Sequence, residues 1–273
     1  MYAFDYQRAS DAKAAVAALN ADSDAKYLAG GQSLLPTMRL RLAQPSQLID
    51  VTRIAALKEI KVDAKTVTIG AAVCHADVAG NADIQRVLPG LAGLAAHIGD
   101  RQVRALGTIG GSLANNDPAA CYPAAVLGLN ATVVTDRRRI TADDFFVGMY
   151  ETALEPDELI TAVEFPVPES SAYEKFHNPA SHFALVGVFV AKGAGGTGGT
   201  GGVRVAVTGA ASSVFRATAL EQALSANFTQ EAARAVTIDA SNLNTDMHAS
   251  ADYRAHLIPV LAARAIGGDS SSG

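Results

Sequence analysis

At 273 residues, with 49% hydrophobic and 18% charged side chains, the sequence has the size and composition of a well-packed soluble chain with a full core. A net charge of −5 without any long basic stripe leaves no electrostatic footprint for nucleic acid. Its two cysteines, Cys74 and Cys121, are too few for a disulfide framework or for the roughly four thiolates of an iron–sulfur cluster, and they fit a reducing, cytoplasmic setting.

The N-terminus, "MYAFDYQRASDAKAAVAAL", lacks the basic and then apolar regions of a secretory signal. No apolar run approaches the roughly 20 residues that span a bilayer. Residues 10–20 read as an amphipathic helix capped by Ser10. A short strand at Tyr27–Ala29 runs into a first Gly-Gly pair. "QLIDV" (47–51) reads as a buried strand, and residues 59–73 as a hairpin turning at Asp63-Ala64. From Ala76 to Ile98 the period is helical, with a break near Pro89-Gly90. A second glycine turn follows at 107–112, then a helix over Ala119–Leu127.

Residues 131–141 read as a hairpin, with Arg137-Arg138-Arg139 at its solvated tip. Asp143-Asp144 open a helix, where acidic residues favour the dipole. "ELITAVEFPVP" (158–168) is a strand closed by prolines and marks the domain boundary. Two strands follow, Phe183–Ala191 and Val203–Thr208. The stretch 192–202 between them is a flexible glycine-rich loop without the Lys-Ser/Thr ending of a P-loop. Helices are predicted at 215–225, 229–240 and 250–266, and a disordered tail at 267–273. Helices and strands mix in both halves without a regular βαβ rhythm, so the fold class is α+β rather than a doubly wound parallel sheet.

The two glycine pairs, "YLAGGQSLLPTM" (27–38) and "GTIGGSLANNDP" (107–118), carry the chemistry. Glycine lets a backbone come close to a ligand. Successive amides form an anion-binding concavity, and a following Ser adds a hydroxyl and a helix start. One such turn is weak evidence of a ligand. Two that converge in space would grip a pyrophosphate from both sides. No G-x-G-x-x-G follows a strand outside the low-complexity loop, which argues against a Rossmann site.

"AGGQSLLPTMRLRLAQPSQLIDVTRI" (29–54) and "IGDRQVRALGTIGGSLANNDPAACYPA" (98–124) resemble the FAD-binding medium subunit of the molybdenum hydroxylases, the subunit of carbon monoxide dehydrogenase and bacterial xanthine-dehydrogenase-type enzymes. The likeness continues through 153–168, "YEKF" (173–176) and 203–217, and covers nearly the whole chain.

It implies an FAD-binding domain of the vanillyl-alcohol-oxidase (PCMH) type over 1–168, in two subdomains, 1–54 and 55–168. A smaller α+β domain with a three-stranded sheet and helices would occupy 172–266. The resemblance also implies FAD in this chain, wrapped by Ala29, Gly30, Gly31, Gln32, Ser33 and Leu34 on one side. Thr108, Ile109, Gly110, Gly111 and Ser112 would wrap the other side. Asp117 stands at the family's "DP", and Lys175 matches a lysine that approaches the flavin. Ile98 and Ile160 fall where apolar residues meet the rings.

Cys121 stands where the family commonly has an Asp that hydrogen-bonds the ribose, which shifts that task to backbone, Asn115 or Asn116. After "YEKF" this chain has His177, Asn178 and His182 in place of the family's arginines and Asp.

The implied assembly is a heterotrimer, commonly doubled. A large molybdopterin subunit would oxidise the substrate, and a small subunit with two 2Fe–2S clusters would deliver electrons to this FAD and on to an external acceptor. A stand-alone flavoenzyme of the same fold is the alternative. No catalytic triad or acid–base pair is expected for the electron-transfer subunit, whereas the stand-alone enzyme would need a proton donor near the flavin, and no residue stands out for it. His177 and His182, five apart on a strand or loop, would face opposite ways, which disfavours metal binding. Cys74-His75 at a helix start reads as capping or packing.

Overall fold

The computed structural model of the chain describes residues 1–193 and 202–268. Most of the glycine-rich loop predicted at 192–202 and all but the first two residues of the tail predicted at 267–273 lie outside the described residues.

The chain opens with a three-stranded parallel sheet. Gln47–Asp50 is its centre, flanked by Asp5–Arg8 and Lys26–Leu28. Helix Ala12–Ala21 makes the crossover that parallel strands require. Asp11, not Ser10, is its cap: its carboxylate accepts the Ala14 N–H at 2.8 Å. Ala15 and Leu19 of the helix pack with Ile49, Val51, Ile54 and Leu57. The outer strand Asp5–Arg8 is exposed at every position, so no hydrophobic alternation announces it. Pairing with Gln47–Asp50 alone defines it, and completes the one parallel sheet among the described residues, the other sheets being antiparallel.

A five-stranded antiparallel sheet follows, in the order Ile60–Val62, Thr66–Gly70, Ile160–Pro166, Thr132–Thr135, Arg139–Thr141. Its first hairpin turns at Asp63, whose carboxylate accepts the N–H groups of Lys65 and Thr66. A layer of short helices covers it: His75–Gly80, Ala82–Val87, Pro89–Ala96, Arg101–Leu106, Ile109–Asn115 and Tyr122–Gly128. The helical period of 76–98 breaks twice. Asn81 caps the second helix, and Pro89 occupies the first turn of the third. Arg101–Leu106 is a helix without a buried residue, invisible to periodicity; Asp100 caps it through the Val103 N–H. The helix predicted from Ala119 starts at Tyr122, because Asp117 accepts the Ala119 amide and holds 117–120 as a turn.

The C-terminal part is a four-stranded antiparallel sheet, not a three-stranded one: Ser170–His177, Ala184–Lys192, Val203–Thr208 and Phe215–Arg216. The fourth strand takes the first residues of the helix predicted at 215–225, which begins instead at Thr218. The helix predicted at 229–240 ends at Arg234, and the last runs over Ala251–Gly267. Among the described residues no helix is long and apolar enough to cross a membrane.

This sheet packs against helices Pro89–Ala96 and Tyr122–Gly128. A side chain at Gly90 would meet the backbone of Ser171 and Ala172 at 2.8 Å, and one at Gly128 the Phe189 ring at 2.8 Å. Arg204 donates to Leu127 O at 3.0 Å and to Asp143 Oδ1 at 2.6 Å. Asp143 thus serves an ion pair across this joint rather than only its own four-residue helix. The arginines of the 131–141 hairpin are exposed yet paired, Arg137 with Asp157, Arg138 with Glu158 and Arg139 with Glu164. Arg204→Met takes the side-chain hydrogen bond from the Leu127 carbonyl, which keeps the Asn130 N–H, and removes the ion pair with Asp143. It is expected to cost about 2 kcal/mol, read as a lower urea midpoint at unchanged slope.

Candidate functional site

Strand Lys26–Leu28 ends directly in the first glycine pair. Gly30 lies so close to the turn after Arg101–Leu106 that a Cβ would fall onto the Leu106 carbonyl and within 2.6 Å of Gly107 Cα. Gly31 has φ +69°, a left-handed conformation that favours glycine. The Gln32 side chain closes the turn by donating to Gly30 O at 3.0 Å. Ser33 then heads helix Leu34–Arg39 without a side-chain cap bond, leaving its hydroxyl exposed. In the turn and loop hydrogen bonds among the described residues, the N–H groups of Gly31, Gln32, Ser33 and Leu34 donate to no carbonyl.

The second pair is not a turn. Gly110 and Gly111 sit in the first turn of helix Ile109–Asn115, whose cap is Thr108. Its leading amides are already engaged: Ile109 with Val73 O, Gly110 with Ala71 O, Gly111 with Thr108 Oγ1 and Ser112 with Thr108 O. Here glycine serves close packing. A Cβ on Gly110 would sit 2.6 Å from Ala71 Cβ, and one on Gly111 would sit 3.0 Å from Thr108 Oγ1 and 3.6 Å from Ala29 Cβ. The two motifs therefore touch each other. One offers open amides, and the other offers a bare glycine surface.

Together they wall a cavity of about 600 Å³, within the range of cofactor sites. Ala29, Gly30, Gly31, Gln32, Ser33 and Leu34 line one side. Thr108, Gly110, Gly111, Ser112 and Asp117 line another, with Ile98, Cys121, Ile160 and Lys175 completing it. Two expected residues lie elsewhere. Ile109 is fully buried in the core. Asn116, at φ +40°, spends its side-chain amide on Gly148 O at 2.9 Å and Glu151 O at 2.8 Å. Its neighbour Asn115 lines the cavity instead.

Lys175 reaches the wall from strand Ser170–His177. Its Nζ donates to His97 O at 2.5 Å and His182 O at 3.1 Å, and lies 3.7 Å from Cys121 Sγ. His177 and His182 do not face apart: the strand bulges after Phe176, and the rings stack with centroids 5.7 Å apart. The intervening turn brings Ser181, His182 and Phe183 to the cavity.

His75 and Glu158 also line the cavity, and no motif marks either as ligand-facing. Cys74 does start the helix His75–Gly80, and His75 packs beneath the cavity against Tyr122, ring centroids 5.2 Å apart. Burial, with Arg104 nearby, lowers the His75 pKa to about 4, so the ring is neutral. Glu158 is held as a carboxylate, its pKa lowered to about 2 by Arg138, which donates at 2.7 and 2.9 Å, and by the Glu155 amide and Thr135 hydroxyl.

Because the folded chain disfavours protonated His75, its contribution is complete above the ordinary histidine pKa and is lost as pH falls toward 4. The expected loss is about 3 kcal/mol. Urea titrations at pH 7 and pH 4 should show His75→Phe removing that part of the decline.

Residues 2–168 match the family described as FAD binding domain in molybdopterin dehydrogenase, and residues 171–268 that described as CO dehydrogenase flavoprotein C-terminal domain. The nicotine 6-hydroxylase medium subunit of Paenarthrobacter nicotinovorans is 38% identical, over 91% of this chain and 90% of its own. The carbon monoxide dehydrogenase medium chain of Hydrogenophaga pseudoflava is 36% identical, over 96% of each. A solved structure of carbon monoxide dehydrogenase from that organism superposes with a TM-score of 0.86, at 36% identity, over 97% of this chain and 96% of the other. The cavity between the two glycine motifs thus stands in a chain that belongs to the FAD-binding medium subunits of the molybdenum hydroxylases, a family of oxidoreductases.

Proposed function

We propose that this chain is the electron-transfer subunit of a multi-subunit molybdenum hydroxylase. It takes electrons from the 2Fe–2S clusters of a small partner and passes them to an external acceptor, while a large molybdopterin-binding partner oxidises the substrate. Two copies of the heterotrimer form the assembly. The observation that carries the reading is the contact between the two glycine motifs, which leaves open amides and a bare glycine face on one cavity.

Bound FAD supplies the exchange between two-electron and one-electron steps. The protein's task is to hold and screen it. The amides of Gly31 to Leu34 and the Ser33 hydroxyl suit the pyrophosphate, at the start of helix Leu34–Arg39. Gly111 leaves room for it, and Ser112 adds a hydroxyl from the facing helix. Asn115 and Asp117 supply the polar contacts to the ribose that Cys121 cannot. Ile98 and Ile160 offer apolar surface to the rings, and the Lys175 ammonium brings a positive charge to the flavin end. The relatives' names, nicotine hydroxylase and carbon monoxide dehydrogenase, place very different substrates beside similar medium chains. Substrate choice on this reading belongs to the large partner.

Two experiments test it. Gly111→Val fills the gap against Ala29 without the backbone collisions a side chain would meet at Gly30 or Gly110. It is expected to keep a native circular-dichroism spectrum while FAD affinity falls by on the order of a hundredfold, about 3 kcal/mol; unchanged FAD binding would remove the second motif from the site. Purification from the native host should give flavin absorbance, iron and two co-purifying chains. FAD on a solitary chain would contradict the electron-transfer role.

A further inference from the structure

One pair on the cavity wall has chemistry beyond holding a flavin. Cys121 precedes helix Tyr122–Gly128 and is buried, yet it lines the cavity. The Lys175 Nζ sits 3.7 Å from its sulfur. Two backbone carbonyls, those of His97 and His182, hold the amine there, and no carboxylate pairs with it among the described residues. Tyr173, on the same strand, has a buried hydroxyl without a hydrogen-bond partner among the described residues, and burial followed by the nearness of Cys121 keeps its phenol protonated. A thiol, an amine and a phenol thus meet where the resemblance leads one to expect an aspartate.

We propose that Cys121 and Lys175 form a peroxide-sensitive covalent pair, in which Cys121 is oxidised to a sulfenic acid that Lys175 captures as a sulfur–nitrogen cross-link. In the first step the O–O bond of hydrogen peroxide breaks. One oxygen joins the Cys121 sulfur, which loses two electrons, and the other leaves as water. The Lys175 ammonium then yields a proton to solvent, and its free amine attacks the sulfur. The S–O bond breaks, an S–N bond forms, and the nitrogen gives up its second proton as the departing hydroxide takes one up and leaves as water; the buried Tyr173 phenol near Cys121 relays that proton and ends protonated as it began. No further electrons move in this second step. One thiol, one amine and one peroxide give the cross-link and two waters.

The link joins strand Ser170–His177 to the start of helix Tyr122–Gly128 and removes the Lys175 charge from the cavity. Release of the flavin as a consequence rests on the functional reading above; the covalent chemistry does not.

The full-length chain, purified with its flavin, is titrated with hydrogen peroxide and examined by intact and peptide mass spectrometry without reductant. The expected product is about 2 Da lighter, has lost one titratable thiol and trypsin cleavage after Lys175, joins the Cys121 and Lys175 peptides, and reverts with dithiothreitol. A Cys74–Cys121 disulfide would weigh the same, so the product must persist in Cys74→Ser; its disappearance there overturns the proposal. Lys175→Arg should halt at a sulfenic acid about 16 Da heavier, trapped by dimedone. A wild-type chain that carries FAD but shows only over-oxidised or unreacted Cys121, with Lys175 free, refutes the pair and leaves the functional reading intact. A cross-link that forms without flavin release supports the pair and refutes the proposed contact of Lys175 with the flavin.

Discussion

The approach of Gly30 to the Leu106 carbonyl and Gly107 is the contact on which the site depends. It leaves no room for even a methyl group, so the first motif can lie only where the short helix Arg101–Leu106 ends. That helix buries none of its own side chains. Its place is set by Asp100 at its start, by the Arg104 guanidinium donating to Ile98 O and Gly99 O, and by the His75 N–H donating to Gly107 O at the far end. A polar, exposed element is thereby made rigid by hydrogen bonds at both ends. It becomes the surface against which the parallel sheet docks.

The two motifs look alike in sequence but divide the work. In the first, glycine permits a left-handed backbone and leaves amides without carbonyl partners. In the second, glycine thins a helix so that it fits against Ala71 on one side and Ala29 on the other, with its amides already satisfied. A phosphate-binding reading of both as equal anion nests would count donors that the second motif has spent. What the second side adds is proximity, a hydroxyl from Ser112 and the polar residues that follow it.

Much of this was legible in the sequence where one residue type has one physical use. Asp63 announced its hairpin through its appetite for the next amides, and Pro89 announced a helix break because it has no N–H to give a preceding turn. Legibility failed where partners far along the chain decide the outcome. Asp5–Arg8 is a strand only because Gln47–Asp50 pairs with it. Asn116, one of the two asparagines that could serve the ribose, is consumed by two carbonyls of the hairpin 146–152, which leaves Asn115 to the cavity. His177 and His182 stack because a bulge and a turn cancel the alternation of an unbroken strand. The arginines of the 131–141 hairpin find their acids about twenty residues later, a distance no local pattern encodes.

Thr208, near the end of the third strand of the C-terminal sheet, donates to the carbonyls of Pro118 and Ala120, and the Gly209 N–H also bonds to Pro118 O. These bonds clamp the turn that carries Asp117 and Cys121 into the cavity wall. During synthesis the first glycine motif leaves the ribosome early, but this clamp is among the last parts of the wall to emerge. The nascent chain must carry a half-built pocket through most of its translation, and contacts of such long sequence separation also slow folding in free solution. The cavity wall is therefore complete only once residues 208 and 209 have joined a turn made some ninety residues earlier.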